Sequence, residues 1–216
     1  LAAEENPEEA ICAYLKGLEI TPDDIEALTA LGDIYFELGR HKEALQTYKK
    51  VTEIAPQEAD SYVNIGLVYN SMERADDAIK AYNSALAIDP DNVFAYNALG
   101  DAWYGLGERD KAIDAFRKGV EIDPQDATAH FNLGELYYDL GEFKEAEQEC
   151  LEAIRLDPAF TLSYLTLGSL YMDQEHIGDA IKSLEAYLMM EKSPQAAEMV
   201  AEVKAVVEGL KTESKK

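Results

Sequence analysis

The sequence predicts an all-α fold, a solenoid of stacked helix hairpins, and three observations carry that prediction. Five segments, 25–58, 59–92, 93–126, 127–160 and 161–194, align at a 34-residue period without an insertion. Each holds two apolar stretches at helical spacing joined by a short polar break, such as Gly39-Arg40-His41-Lys42 or Gly107-Glu108-Arg109-Asp110. Proline closes four of the five, as Pro56, Pro90, Pro124 and Pro158, and drives the residue before it out of the helical region. One hairpin cannot bury its apolar face alone, so a fixed period of this length means stacking.

Within each unit the first stretch carries Leu31-Gly32, Ile65-Gly66, Leu99-Gly100, Leu133-Gly134 or Leu167-Gly168 at repeat positions seven and eight. Position eleven is Tyr35, Tyr69, Trp103, Tyr137 or Tyr171, expected to fill the gaps between successive pairs. The second stretch carries alanine at position twenty (Ala44, Ala78, Ala112, Ala146, Ala180), then Tyr48, Tyr82, Phe116, Cys150 or Leu184 at position twenty-four. Glycine in mid-helix costs about 1 kcal/mol against alanine, so its recurrence requires a close helix approach. The expected facing residue is the alanine of position twenty. Asp23, Asp24, Asp91, Asn92 and Asp126 are placed to cap the helices that follow them.

Both ends depart from the period. Residues 1–24 hold only the second half of a unit, with Ala10, Tyr14 and Pro22 in register, so Ile11, Tyr14 or Leu18 is expected to be partly uncovered. That edge is expected to pack on another molecule or to be covered by residues 1–6. The chain reads as a piece of a longer array, or as one that starts on a half-repeat. Segment 195–216 reads as a capping helix with Ala196, Met199, Val200, Val203, Val207 and Leu210 on one face, and a frayed tail from Lys211.

This pattern resembles the tetratricopeptide repeat over essentially the whole chain. The resemblance implies a right-handed solenoid in which first helices line a concave groove and second helices the convex back. Groove-facing positions of that family fall on Asp33, Phe36, Glu37, Asp60, Asn64, Asn70, Phe94, Asn97, Asp101, Tyr104, Phe131, Glu135, Tyr138, Asp139 and Met172. Asp101 and Glu135 share position nine in adjacent repeats, with Tyr104 and Tyr138 one turn further on. The basic clamp of chaperone-binding relatives is missing: Asn64 matches one clamp position, but Thr29, Phe94 and Ala98 stand where basic partners belong.

Composition bounds the function. With 43 acidic and 19 basic side chains the formal charge is −24, which opposes nucleic acid and anionic membrane as partners. No apolar run approaches the roughly 18 residues of a membrane span. Two cysteines give no disulfide framework, and no targeting signal is visible, so a cytoplasmic location is expected. No phosphate loop, paired-cysteine spacing or His-Glu-x-x-His run occurs, so neither catalysis, cofactor nor metal is expected. His130, at the position of Leu28, Tyr62, Tyr96 and Tyr164, and the two thiols, Cys12 and Cys150, read as packed structural groups.

All 19 basic residues fall outside the five first helices, which carry eight carboxylates, Glu26, Asp33, Glu37, Asp60, Asp101, Glu135, Asp139 and Asp173. The expected function is therefore a non-catalytic adaptor or scaffold that binds a basic or amphipathic protein segment in an acidic, aromatic groove. Two alternatives stand beside it: a scaffold that self-assembles through its ends and convex face, including the N-terminal edge, and an accessory array of a larger enzyme or secretion component.

Overall fold

The structure, a computed structural model, describes residues 6–213. Within them lie twelve α-helices, one 3-10 turn and no strand. In chain order these are α1 (Pro7–Ile20), α2 (Ile25–Glu37), α3 (His41–Ile54), α4 (Ala59–Ser71), α5 (Ala75–Ile88), α6 (Val93–Gly105), α7 (Arg109–Ile122), α8 (Ala127–Asp139), α9 (Phe143–Leu156), α10 (Thr161–Asp173), α11 (Ile177–Met190) and α12 (Ala197–Glu213). No helix among the described residues is long and apolar enough to cross a membrane. The fold is an α-solenoid of helix hairpins, in which a first helix (α2, α4, α8, α10) pairs with the second helix that follows it. The chain divides into two compact units, Leu1–Ala115 and Phe116–Lys216.

Local chemistry sets the helix ends. Four of the five second helices, α3, α5, α7 and α9, stop two residues before a proline, and the intervening residue leaves the helical region, with φ −126° and ψ 75° at Ala55 and φ −131° and ψ 97° at Asp157. Three first helices are capped by the last residue of the linker: Asp24 accepts from the Ala27 N–H (3.0 Å), Asn92 from Ala95 (2.8 Å) and Asp126 from Thr128 (2.9 Å). Asp23 and Asp91, also expected as caps, lie one residue too early; the Asp91 N–H instead donates to Asp89 Oδ1 at 3.2 Å.

Inside every hairpin the same turn recurs. The Arg40 N–H donates to the Tyr35 carbonyl (2.8 Å) and Gly39 N–H to Phe36 (2.9 Å), a pair of bonds that satisfies the last carbonyls of α2 and requires a left-handed residue between the helices. The same two bonds close the turns after α4, α6, α8 and α10. Gly39, Gly107 and Gly141 fill the left-handed position at φ 69–75°, but Glu73 and Glu175 hold it at φ 57° and 59°.

The recurrent helix glycine does mark a close approach, though its partner differs from the expected one. A Cβ built on Gly32 would lie 2.5 Å from the Tyr48 ring, and one on Gly134 would lie 2.9 Å from Cys150 Sγ. Gly66 faces Tyr82, and Gly168 faces Leu184, in the same way. Position eight therefore seats position twenty-four, not the alanine of position twenty. The alanines, fully buried at Ala44, Ala78, Ala112, Ala146 and Ala180, pack alongside.

In the first unit Ala10, Ile11, Leu31, Tyr35 and Tyr48 share a core with Ile65 and Val68. A second cluster joins Val63, Tyr82, Leu99 and Ala102, and Tyr69 packs against both, filling the space between successive hairpins. First helices also touch directly, α4 with α6 and, in the second unit, α8 with α10. Ile11 is buried, Tyr14 and Leu18 are half-buried, and the widely exposed apolar groups of α1 are Leu15 and Ile20. Cys12, expected to be buried, is exposed; Cys150 is buried. At the other end α12 lays Val203 and Val207 on Leu184 and Tyr187, with Val200 and Leu210 beside them. Met199, expected on that face, is exposed. Residues 1–5 and 214–216, assigned above to an end cover and a frayed tail, lie outside the described residues, and Lys211–Glu213 are still helical.

Two predictions follow from this geometry. Glu73→Gly and Glu175→Gly should each raise stability by about 0.5–1 kcal/mol in urea unfolding, since relief of a left-handed side chain outweighs the added freedom of the unfolded glycine. Gly66→Ala should cost about 1–3 kcal/mol in the same assay, because the buried Tyr82 ring must move. Separately, truncation after residue 194 should lower the concentration at which the protein precipitates, by uncovering Leu184 and Tyr187; equal solubility would contradict the capping role of α12.

Candidate functional site

Each first helix exposes one side toward solvent, and its composition is uniform: no lysine or arginine lies on α2, α4, α6, α8 or α10. In the first unit Asp33 and Glu37 are exposed, and Asp33 accepts a hydrogen bond from the Tyr48 hydroxyl at 2.6 Å. That phenol is held well above its usual range, first by burial and then by Asp33. Phe36 is half-buried and tilted against His41, with ring centroids 6.0 Å apart. Asp60 accepts from Asn92 Nδ2 (3.3 Å), Asn64 is half-buried and Asn70 exposed. Phe94 leaves 59% of its surface in water, and Asp101 and Tyr104 are exposed.

In the second unit Glu135 and Asp139, one turn apart on α8, are both exposed. Crowding by the helices still holds the Glu135 carboxyl above the usual carboxylate range through burial, and the Asp139 charge adds to the effect. Tyr138, between them in sequence, donates its hydroxyl to Asp173 Oδ2 on α10 at 2.8 Å and packs against Phe143 at 6.1 Å between ring centroids. Burial, followed by that bond to Asp173, pushes the Tyr138 phenol up to about 12. Met172 is exposed beside them on α10. The result is a surface of carboxylates and aromatic faces suited to desolvating a cation.

Two residues assigned to the groove do not reach solvent. Asn97 and Phe131 both hold position five, as does the equally buried Val63, and Phe131 packs on Phe160 at 5.1 Å. Their side chains contribute to packing in this structure. Among the described residues no cluster of three or more His, Cys, Asp or Glu side chains is arranged to hold a metal ion.

Family profiles described as "TPR repeat" match residues 32–73, 66–107 and 100–141, and profiles described as "Tetratricopeptide repeat" match 13–46, 127–160 and 162–194. The chain belongs to the tetratricopeptide repeat family. Among solved structures it is similar to MamA, at 26% identity and TM-score 0.66 over 74% of this chain and 94% of that one. It is also similar to YrrB, described as a TPR protein with an unusual peptide-binding site, at 21% identity and TM-score 0.61 over 88% and 98%. Yeast Tom70 gives TM-score 0.81 at 17% identity, over 95% of this chain and 43% of that one. A search of curated proteins finds no significant match.

The tetratricopeptide hairpins also use residues that sequence reasoning left unassigned. Arg40 lies over the Tyr35 ring and Arg74 over Tyr69, each 4.6 Å from the centroid, and Lys111 lies 4.2 Å over Trp103. Arg117 donates to the Tyr137 hydroxyl through Nε (3.0 Å) and Nη2 (2.6 Å). The signal was present as Tyr35-x4-Arg40 and Tyr69-x4-Arg74. The same cations pair with second-helix acids, Arg40 with Glu43 and Arg74 with Asp77, so basic charge is engaged along the turns and second helices. His130 is buried with Nδ1 2.6 Å from Glu149 Oε2 and Nε2 3.3 Å from the Pro124 carbonyl. It stands where Tyr62 and Tyr164 donate to the carbonyls of Pro56 and Pro158.

Linkage makes the acidic surface measurable. The raised Glu135 carboxyl contributes stability fully below the unfolded carboxylate range and loses it as pH rises through the folded value. Glu43, Asp77, Glu152 and Asp179 are held low by hydrogen bonds from basic neighbours, so their contribution is present above that range and disappears as pH falls. Glu135→Gln should therefore stabilise the protein at neutral pH by a few tenths of a kcal/mol. The gain should vanish near pH 4, where both forms are neutral; thermal melts across about pH 4–7.5 check it.

Proposed function

We propose that the chain is a non-catalytic adaptor or scaffold that recognises a basic or amphipathic protein segment on the solvent-facing side of its first helices. The observation that carries this reading is charge segregation: eight carboxylates and no lysine or arginine on the five first helices, with cations engaged on second helices and turns. Asp33, Phe36, Glu37, Asp60, Asn64, Asn70, Phe94, Asp101 and Tyr104 supply the surface in the first unit, and Glu135, Tyr138, Asp139 and Met172 in the second. Buried Asn97 and Phe131 shape it from beneath. An arginine side chain meeting a carboxylate and a ring face together gains about 0.5–2 kcal/mol per contact. Apolar groups of a bound segment cover Phe94 on the first unit's surface or Met172 on the second's. The described peptide-binding site of YrrB, a protein of like fold, accords with this use of the scaffold.

The probe is a fluorescent peptide alternating arginine with leucine, compared with its glutamate counterpart by anisotropy. The arginine peptide should bind and the glutamate peptide should not, and binding should weaken as salt rises. Neutralising the second-unit surface with Glu135→Gln and Asp139→Asn should weaken binding at least tenfold, or about 1.4 kcal/mol. The control is Glu53→Lys with Asp114→Lys on second helices, at positions where other repeats carry Arg155, Lys80 and Lys182. It alters net charge twice as much and should cost less than threefold. Equal losses from both pairs would assign the interaction to bulk charge, and no loss from either would move recognition off the first helices.

A further inference from the structure

The two first helices of the second unit differ in what they turn to solvent. On α8, Thr128, Asn132, Glu135 and Asp139 recur at helical spacing, and all but half-buried Asn132 are exposed. On α10 the corresponding row is Leu162, Thr166, Ser169 and Met172, with Leu162 49% and Met172 36% exposed. That row carries no charge. Helix α10 has no lysine, arginine, histidine or glutamate, and its single aspartate, Asp173, accepts from Tyr138. The two rows lie side by side: α8 and α10 are in contact, and the Tyr138 hydroxyl reaches across to Asp173 and Ser169, one turn apart on α10. The stacking side of α10 is already covered, since Tyr164 and Leu165 pack into the cluster of Leu184, Tyr187, Val203 and Val207 built by α11 and α12. Leu162 and Met172 stay open with that cover in place.

A partner that covers this surface must offer two parallel rows of its own. Contacting helices lie about 8–10 Å apart, so aliphatic groups must reach α10 and cations α8 across that width. An extended strand cannot do this, because its side chains alternate and each face is one row. An α-helix, about 10 Å across, can: it carries an apolar stripe with a basic flank beside it. The lengths agree as well. Leu162 and Met172 are ten residues apart, about 15 Å along α10 and nearly three turns of a partner helix. Glu135 and Asp139 are about 6 Å apart along α8, the spacing of cations four residues apart on a helix.

We infer that the second unit takes an amphipathic α-helix of a partner protein, lying along the groove between α8 and α10, with aliphatic side chains on Leu162 and Met172 and lysine or arginine on Glu135 and Asp139. This rests on the proposed function and adds the conformation and sequence period of the segment recognised. The period is apolar at i, i+4, i+7 and i+11, with basic residues at i+1, i+5 and i+8 on one flank. Either direction of the helix along the groove brings one flank to α8, so a single basic flank suffices.

Three peptides of identical composition, each about 16 residues of leucine, arginine, alanine and glutamine, test this against the full chain by anisotropy. One has the period above, one scatters its leucines around the helix, and one alternates leucine with arginine as a strand would. The first should bind at least tenfold more tightly than the other two, and its helical circular dichroism should rise on mixing. Leu162→Ser with Met172→Ser should weaken it at least tenfold, as should Glu135→Gln with Asp139→Asn. Leu151→Ser, on second helix α9 at a leucine 48% exposed, should cost less than twofold. Far-UV spectra of the variants should match the parent. Equal affinity for all three peptides, each weakened by Glu135→Gln with Asp139→Asn, would overturn the helix and leave the acidic surface as a site for any basic segment. Binding indifferent to the serine pair would overturn it too. No binding by any peptide would remove this inference and the proposed function together.

Discussion

A missing methyl group sets the spacing of the hairpins built on Gly32, Gly66, Gly134 and Gly168. With glycine at position eight the two helices come close enough for a ring, thiol or leucine from position twenty-four to lie directly on backbone, as Tyr48 does on Gly32 and Leu184 on Gly168. Everything else in the repeat follows from that distance. The alanines of position twenty are completely enclosed because nothing larger fits beside the seated side chain. The linkers can then be short, and the three-residue turn with its left-handed centre becomes the connection that closes the pair.

That seat also accounts for what the sequence conveyed and what it withheld. Period, helix limits and the identity of the buried faces were legible, because proline, glycine and apolar spacing act locally and recur. The facing partner of the glycine was not, because periodicity reports which side of a helix is buried and is silent on the register of the helix opposite. Asp23-Asp24 and Asp91-Asn92 each offered two candidate caps, and only the backbone geometry of the linker selects the second. At the candidate site Phe94, Glu37 and Asp139 reach solvent. Asn97 and Phe131 do not, since position five packs inward in these repeats, as Val63 also does.

Charge is sorted as strictly as volume. A chain with so few cations uses Arg40, Arg74 and Lys111 to cover aromatic rings that would otherwise face water, and anchors them further with Glu43, Asp77 and Glu108. These contacts are individually modest. Their collective effect is to commit the basic side chains to second helices and turns. Carboxylates on first helices are left among tyrosines and one another, and the raised Glu135 carboxyl records that crowding.

Cys150 is the one thiol among the position-twenty-four residues, and it sits fully buried against Gly134. Burial, with Glu135 and Glu149 nearby, pushes it up to about 12, so neither thiolate nor open access exists while the α8–α9 hairpin is closed. Cys12 is open to solvent. The molecule thereby contains its own two-channel clock: one sulfur reads out the reagent, and the other reads out how often a single repeat in the second unit parts from its mate.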